Sequence, residues 1–170
     1  INEDISFYFS AITLPNKDDV KKIEFMYAKN DFPIISNNSA HRWTPDVPMI
    51  MPEVNPHHLN IIPVQKKLRG FKNGFVIVKP NCSIQSYVTP IFALEESGYK
   101  VDQVIVTTLQ AVSGAGHPGV SSLDIIDNII PFIKGEEEKS EREPLKVLGQ
   151  VGEEGIILND SIKFSATCTR

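Results

Sequence analysis

Cys82 is the residue of this chain best suited to covalent chemistry. It follows Phe75-Val76-Ile77-Val78-Lys79-Pro80-Asn81, in which a short β-branched run reads as a buried strand and Pro80, with no N–H to give a ladder, ends it. Ile84, Val88, Ile91 and Leu94 then recur at helical spacing as far as Gly98. The thiol is therefore expected at a strand-to-helix junction, where backbone N–H groups without helical partners gather and favour negative charge. A thiolate there can add to a carbonyl carbon and can also depart. An unpaired cysteine is most often a small buried hydrophobe, and the residues alone leave both readings open.

Charged and small residues elsewhere are further candidates for contact with a small polar ligand. Glu136 and Lys139 lie three apart in a run of acids and so share a helix face, although such a run also makes an ordinary solvated helix start. Arg170 stands at the end of an alternating stretch, Ile162, Phe164, Ala166 and Cys168, that reads as a half-buried strand. Arg42, in a loop, is either a solvated charge or a guanidinium fork aimed at an anion. Between Gln110 and Gly119, Ser113-Gly114-Ala115-Gly116 forms a small, Gly-rich loop whose backbone can approach a ligand closely; a tight turn is the alternative, since the Gly-x-Gly-x-x-Gly register is absent.

The elements that must carry these groups follow from periodicity. Ile5-Ser6-Phe7-Tyr8-Phe9 reads as a strand covered on both faces, Asn16 with Asp18 and Asp19 starts a helix that presents Val20, Ile23 and Tyr27 and ends near Asn30, and Phe32-Pro33-Ile34-Ile35-Ser36 is the next strand. This is a βαβ unit, and ligands of doubly wound sheets bind beyond the carboxyl ends of the strands. Ser10-Ala11 and Asn37-Asn38 stand there as candidates for a nucleotide, with turn chemistry as the alternative. Five prolines, Pro45, Pro48, Pro52, Pro56 and Pro63, punctuate a connection expected to wrap rather than pack, with a short strand at Met49-Ile50-Met51 and one helical turn at residues 57–61. Pro90 is expected to kink or break the helix after Cys82, residues 101–109 to form a strand, and Leu123, Ile126, Ile129 and Ile130 to form a short helix under a packed lid, ended by Pro131.

Composition narrows the function. A chain of 170 residues with a net charge of −4 and no basic stripe lacks the footprint of a nucleic-acid binder and suits small polar substrates. No apolar run is long enough to span a membrane and no signal peptide opens the chain, which places it in the cytoplasm. Cys82 and Cys168 are too few for a disulfide framework, and His57-His58 lacks metal-ligand spacing, so no metal is expected. The chain opens on Ile1 rather than Met, and strand-like runs stand close to both ends, which reads as a piece of a larger fold.

Ser36-Asn37 through His41-Arg42, Pro52-Glu53-Val54-Asn55-Pro56, Lys79-Pro80-Asn81-Cys82-Ser83, Gln110-Ala111-Val112-Ser113-Gly114-Ala115-Gly116, Asp127-Asn128-Ile129-Ile130-Pro131, Gly135-Glu136-Glu137-Glu138-Lys139 and Ala166-Thr167-Cys168-Thr169-Arg170 resemble, in order and spacing, the aspartate-semialdehyde dehydrogenases of archaea and fungi. The resemblance implies an α/β fold: residues 1–80 as the carboxy-terminal half of an NADP-binding Rossmann domain, and residues 81–170 as part of an α+β catalytic and dimerisation domain. It implies that Cys82 is the nucleophile, Gln110 holds the acyl-enzyme, Glu136 binds the substrate ammonium and Arg170 its carboxylate, Arg42 and Lys139 bind phosphate, and Asn81 belongs with the substrate-binding set. Ser10, Ala11, Asn37 and the Ser113-Gly114-Ala115-Gly116 loop would contact NADP, the loop at its nicotinamide end. The implied reaction is the NADPH-dependent reductive dephosphorylation of 4-phospho-L-aspartate to L-aspartate 4-semialdehyde through a cysteine thioester, in lysine, threonine and methionine biosynthesis, by a homodimer or homotetramer.

Two family features lie outside the sequence: the Gly-rich pyrophosphate loop of the Rossmann domain, and the catalytic histidine beyond the position of Arg170, matched by none of His41, His57, His58 or His117. The chain alone is accordingly expected to be inactive. Two rival readings stand beside the first: a thioester reductase acting on a substrate such as malonyl-CoA, and a non-catalytic fragment serving only subunit association. A carboxylate at Glu136 favours an amino-acid substrate over a CoA ester, because an ammonium needs an acidic partner.

Overall fold

In the computed structural model the described residues are 5–170, so Ile1 lies outside them. The described backbone divides into two units, the first made of residues up to 81 with 146–159 and the second of residues 82–145 with 160–170.

The first unit is built on three parallel strands in the order β1 (Tyr8–Ser10), β2 (Ile34–Ser36), β3 (Val76–Val78), with Tyr8 opposite Ile34 and Ile34 opposite Val76. The crossover between β1 and β2 is α1 (Lys17–Lys29). Its start is fixed as the sequence predicts, the Asn16 side chain accepting the Asp18 N–H at 2.9 Å with Asp18 and Asp19 in the first turn. Its buried stripe differs from expectation: Val20, Glu24 and Ala28 face inward, while Ile23 and Tyr27 are only half-buried. A carboxylate can occupy the middle of that stripe because the hydroxyls of Ser10 and Ser36 both donate to Glu24 Oε1, at 2.5 and 2.6 Å. Strand β1 is covered on one face only. Tyr8 stacks edgewise on Tyr27 and Phe32, whereas Phe9 is 75% exposed.

The proline-punctuated connection packs rather than wraps, contrary to the sequence expectation. Val47, Met49, Met51, Val54 and Ile61 are all core residues. Asn55 makes this possible: its Nδ2 donates to Met49 O at 2.8 Å and its Oδ1 accepts the Met51 N–H at 2.7 Å, satisfying buried backbone groups that prolines elsewhere in the segment cannot pair. His58 accepts from Asn55 Nδ2 at Nδ1, 3.0 Å away, and donates from Nε2 to Gly149 O at 2.9 Å, the tautomer set by the carbonyl, which can only accept. Burial holds the His58 pKa below its ordinary value. The expected strand at residues 49–51 is a single parallel bridge from Met49 to Val78. Beyond a 3-10 turn at Pro56–Ile61 a helix that periodicity did not reveal, α2 (Ile62–Arg69), places Gln65 so that its amide clamps the Val76 N–H at 2.7 Å and O at 3.0 Å. Gly74 is required by close approach, since a Cβ there would stand 2.0 Å from Ala28 O.

The second unit is organised by α3 (Ile84–Glu96) and by two parallel strands, β4 (Gln103–Leu109) and β7 (Lys163–Thr169). Helix α3 buries Ile84, Val88 and Ile91, but Leu94 is exposed. It runs unbroken through Pro90 rather than splitting, with Pro90 and Ser86, whose carbonyl loses its donor, on the exposed side where water can replace the bond. Between the strands lie α4 (Ser122–Ile125), α5 (Glu136–Val147) and, in the first unit, the short antiparallel pair β5 (Gln150–Val151) and β6 (Ile156–Ile157). The helix expected through Ile130 stops after one turn, and Leu123, Ile126 and Ile129 are exposed rather than packed. Asp127, at φ 51°, turns the chain, and Ile130 exchanges both backbone bonds with Arg170, at 2.7 and 3.0 Å, which draws it into an extended path.

Helix α5 contains a second internal proline, Pro144. The carbonyl it orphans is that of Ser140, four residues back and buried, and the Tyr87 hydroxyl donates to it at 2.7 Å. Burial raises the Tyr87 pKa above its ordinary value. The acidic run is not simply solvated either: Glu137 Oε1 accepts the Cys168 N–H at 3.3 Å and Glu141 Oε1 the Ala166 N–H at 3.1 Å, so the helix docks against the outer edge of β7 through carboxylates.

Candidate active site

Ladder register decides which side chains meet in the second unit. Leu109 is paired with Thr169, so Gln110 and Arg170, the next residue of each strand, emerge side by side, with the Gln110 N–H on Thr169 O at 2.8 Å. Arg170 Nη2 donates to Gln110 Oε1 at 3.5 Å and Nε to Ala111 O at 3.3 Å. On its other side Gln110 turns Nε2 toward Glu136 Oε2 at 3.4 Å. Glu136 opens α5, and its Oε1 lies 2.5 Å from Lys139 Nζ, one turn further along. Four residues singled out in the sequence thus form one row of guanidinium, amide, carboxylate and ammonium. Two cations and one anion leave the row net positive, which suits a ligand carrying more negative than positive charge.

The Gly-rich loop lies against this row. A Cβ on Gly114 would come within 3.1 Å of Arg170 Nη2, so only a residue without a side chain leaves the guanidinium undisturbed. Val112–Ala115 is a 3-10 turn, and Ser113, Gly114, Ala115 and Gly116 are all exposed. Cys82 is also exposed, in the turn that separates β3 from α3, as the junction reading requires; Cys168 is buried, its sulfur 3.5 Å from Ser140 Oγ.

In the first unit the carboxyl ends of β1 and β2 are bound together. The Asn37 N–H donates to Ser10 O at 2.9 Å, the Asn38 side chain donates to Ile12 O, and Ala11 and Asn37 are exposed beside them. Because the Ser10 hydroxyl donates to Glu24, what it can still offer a ligand is acceptor capacity. Arg42 and Asn81 are buried here. Arg42 Nε donates to Lys79 O at 3.1 Å, and its own carbonyl accepts from Lys146 Nζ at 2.8 Å. Lys146 and Glu24 are among the buried polar residues that sequence reasoning missed, since a lysine in a last helical turn and a glutamate in a helix middle carry no local mark of burial. His41 is buried with Nε2 3.7 Å from Glu24 Oε2 and Nδ1 3.1 Å from Thr44 Oγ1. Burial pushes its pKa down to about 4. Among the described residues no group of three or more His, Cys, Asp or Glu side chains is placed to hold a metal ion.

Exposed residues joined at the ends of parallel strands in one unit, and a charged row beside a close-approach glycine in the other, give the chain the build of a nucleotide-binding α/β unit with a second α+β unit. Residues 1–62 match the semialdehyde dehydrogenase NAD binding domain and residues 91–170 the semialdehyde dehydrogenase dimerisation domain, and the chain belongs to the semialdehyde dehydrogenase family. It is 48% identical over 167 residues to the aspartate-semialdehyde dehydrogenase of Archaeoglobus fulgidus, covering 98% of this chain and 47% of that protein. A malonyl CoA reductase (NADP) of Metallosphaera sedula is 38% identical over 149 residues, 88% of this chain and 40% of the relative. Among solved structures, aspartate semialdehyde dehydrogenase with NADP from Candida albicans superposes with a TM-score of 0.79 at 35% identity, over 95% of this chain and 45% of that one. The chain spans about half the length of the relatives it matches.

Proposed function

We propose that this chain belongs to an NADP-dependent aspartate-semialdehyde dehydrogenase that converts 4-phospho-L-aspartate to L-aspartate 4-semialdehyde, in the cytoplasm, on the route to lysine, threonine and methionine. The observation that carries the reading is the row Arg170, Gln110, Glu136, Lys139. It offers a fork for a carboxylate, a carboxylate for an ammonium and a cation for a phosphate, the three charged groups of the substrate.

Cys82, exposed at the start of a helix, attacks the acyl phosphate carbonyl; its sulfur forms the C–S bond as the C–O bond to phosphate breaks. Phosphate leaves as an anion, and Arg42 and Lys139 are assigned to it. Reduction of the thioester would take its hydride from NADPH, the chemistry that cofactor would supply when bound. Gln110, by its amide, holds the acyl group, and loss of the Cys82 thiolate then releases the aldehyde. Asn81 belongs with the substrate-binding residues, and Ser10, Ala11, Asn37 and Ser113 to Gly116 with the cofactor-binding ones. Proton transfer is assigned to no histidine of this chain, and His41 and His58 are buried against partners of their own. A homodimer or homotetramer is supported by the open face of the β4–β7 ladder, where Ile105 is 78% and Leu109 83% exposed.

The malonyl CoA reductase relative favours a second reading, reduction of a CoA thioester by the same thiol. Both are decided by assaying the full-length protein with NADP, phosphate and aspartate semialdehyde, and separately with NADPH and malonyl-CoA. Phosphate-dependent turnover of the semialdehyde, lost in Cys82→Ser and kept in Cys168→Ser, is expected; turnover of malonyl-CoA alone would overturn the first reading.

A further inference from the structure

Lys146 is a lysine with no route to a substrate. It is 2% exposed, and its ammonium donates to three backbone carbonyls, those of Arg42 at 2.8 Å, Thr44 at 2.9 Å and Val47 at 2.9 Å. An ammonium has three N–H donors, and here three carbonyls of one short loop converge on them. That loop carries Arg42, which is anchored at its other end too, by Nε on Lys79 O at 3.1 Å. Arg42 is thus fixed at both backbone and guanidinium: the carbonyl by Lys146, the plane of the fork by the segment that leads to Asn81. In this loop the N–H groups of Arg42, Thr44 and Val47 bond the Ser39, His41 and Thr44 carbonyls, the Ile156 N–H reaches Pro45 O and Gln65 Nε2 reaches Asp46 O, and to these the ammonium adds a charged donor on the Arg42, Thr44 and Val47 carbonyls.

The geometry points to Lys146 as a positioning residue for the anion site of Arg42: a buried cation that organises the 42–47 loop and acts on phosphate only through Arg42. This rests on the reading of Arg42 as a phosphate ligand. Lys146 and Lys139 thereby separate, although both belong to one helix, Lys139 half-buried beside Glu136 and Lys146 committed to carbonyls. Without the ammonium, the buried carbonyls of Arg42 and Val47 and the half-buried one of Thr44 lose a charged donor at once, and the loop is expected to shift so that they reach water.

The test is steady-state kinetics of the full-length protein in the phosphate-consuming direction, with amide hydrogen exchange as the local readout. Lys146→Met is expected to raise KM for phosphate about ten-fold or more, the scale of one lost charged hydrogen bond, to change KM for aspartate semialdehyde less than about two-fold, and to speed exchange at residues 42–47 but not in the strands. Arg42→Lys should raise the phosphate KM by itself, and adding Lys146→Met to it should do little more, because both act through one group. Should Lys146→Met fail to fold, Lys146→Arg keeps the charge without the tetrahedral geometry, and the same split between the two KM values is expected at smaller size. Equal losses for both substrates, or additive effects in the double variant, would overturn the proposal. If Arg42→Lys raises the phosphate KM and Lys146 variants do not, the role of Lys146 alone falls. If Arg42→Lys leaves it unchanged, the reading of Arg42 falls first and Lys146 loses its role with it.

Discussion

Glu136 holds Lys139 at 2.5 Å across a single helical turn and turns its second oxygen toward Gln110 at 3.4 Å. The two charges that the proposed reaction needs for different parts of its substrate are paired with one another. A substrate bearing both an ammonium and a phosphate would part them, giving Glu136 the first and Lys139 the second.

Glu136→Gln should therefore separate the two roles. Losing a charged hydrogen bond costs about 1.5–3 kcal/mol, or roughly ten- to a hundred-fold in binding, and we expect that rise in KM for aspartate semialdehyde. Phosphate should bind no worse, because Lys139 is released from its partner. Initial rates with each substrate varied in turn decide the matter, and parallel weakening of both would contradict the assignment.

Arg170→Lys retains the charge but not the fork, which the structure shows spread over Gln110 and Ala111. The semialdehyde should be weakened more than phosphate. Equal changes in the two KM values would remove Arg170 from the carboxylate site.

Tyr87→Phe removes the donor that reaches the Ser140 carbonyl in a helix where Pro144 cannot. A buried acceptor left alone costs about 1–3 kcal/mol, and urea unfolding should show a loss of that size. A variant as stable as the parent would mean that the carbonyl finds another donor.

His41 makes stability depend on pH. Its folded pKa, pushed down to about 4 by burial, with a hydrogen bond to the Lys21 backbone opposing, the Arg69 and Lys21 charges adding to the fall and Asp46 opposing it, lies below the ordinary value of 6.5. The folded state then binds fewer protons than the unfolded state between these values, so stability is full above about pH 6.5 and falls as pH drops toward 4. At 1.36 kcal/mol per unit the loss reaches roughly 3 kcal/mol. Urea midpoints from pH 7 to pH 4.5 should drop less steeply in His41→Asn than in the parent; identical slopes would show that His41 does not carry the effect.

The strand, turn and helix around Cys82 were legible in the sequence because each is decided within a few residues: β-branched Val76, Ile77 and Val78 favour a strand, Pro80 stops it, and Ile84, Val88 and Ile91 repeat at the period of a buried helix face. The same holds for the Asn16 cap of α1 and for the ordered motifs through which the family is recognisable. Where local rules mislead, a distant partner reverses the local preference. Leu123, Ile126 and Ile129 have helical spacing, yet pairing of Ile130 with Arg170, forty residues away, extends the chain there. The prolines between Pro45 and Pro63 speak for a surface segment, but Asn55 and Lys146 satisfy its carbonyls and let Met49 and Ile61 enter the core.

By itself, then, the sequence determined the parallel strands, the junction that exposes the thiol and the residue types of the site, all of them matters of local propensity and order along the chain. Only the tertiary structure decided that Gln110 and Arg170 stand together, since that follows from the register of two strands 54 residues apart, and that Glu24 and Lys146 are buried. A charge can leave water only when its partners are in place, and those of Lys146 lie about a hundred residues away in the chain, beyond the reach of any periodicity or spacing.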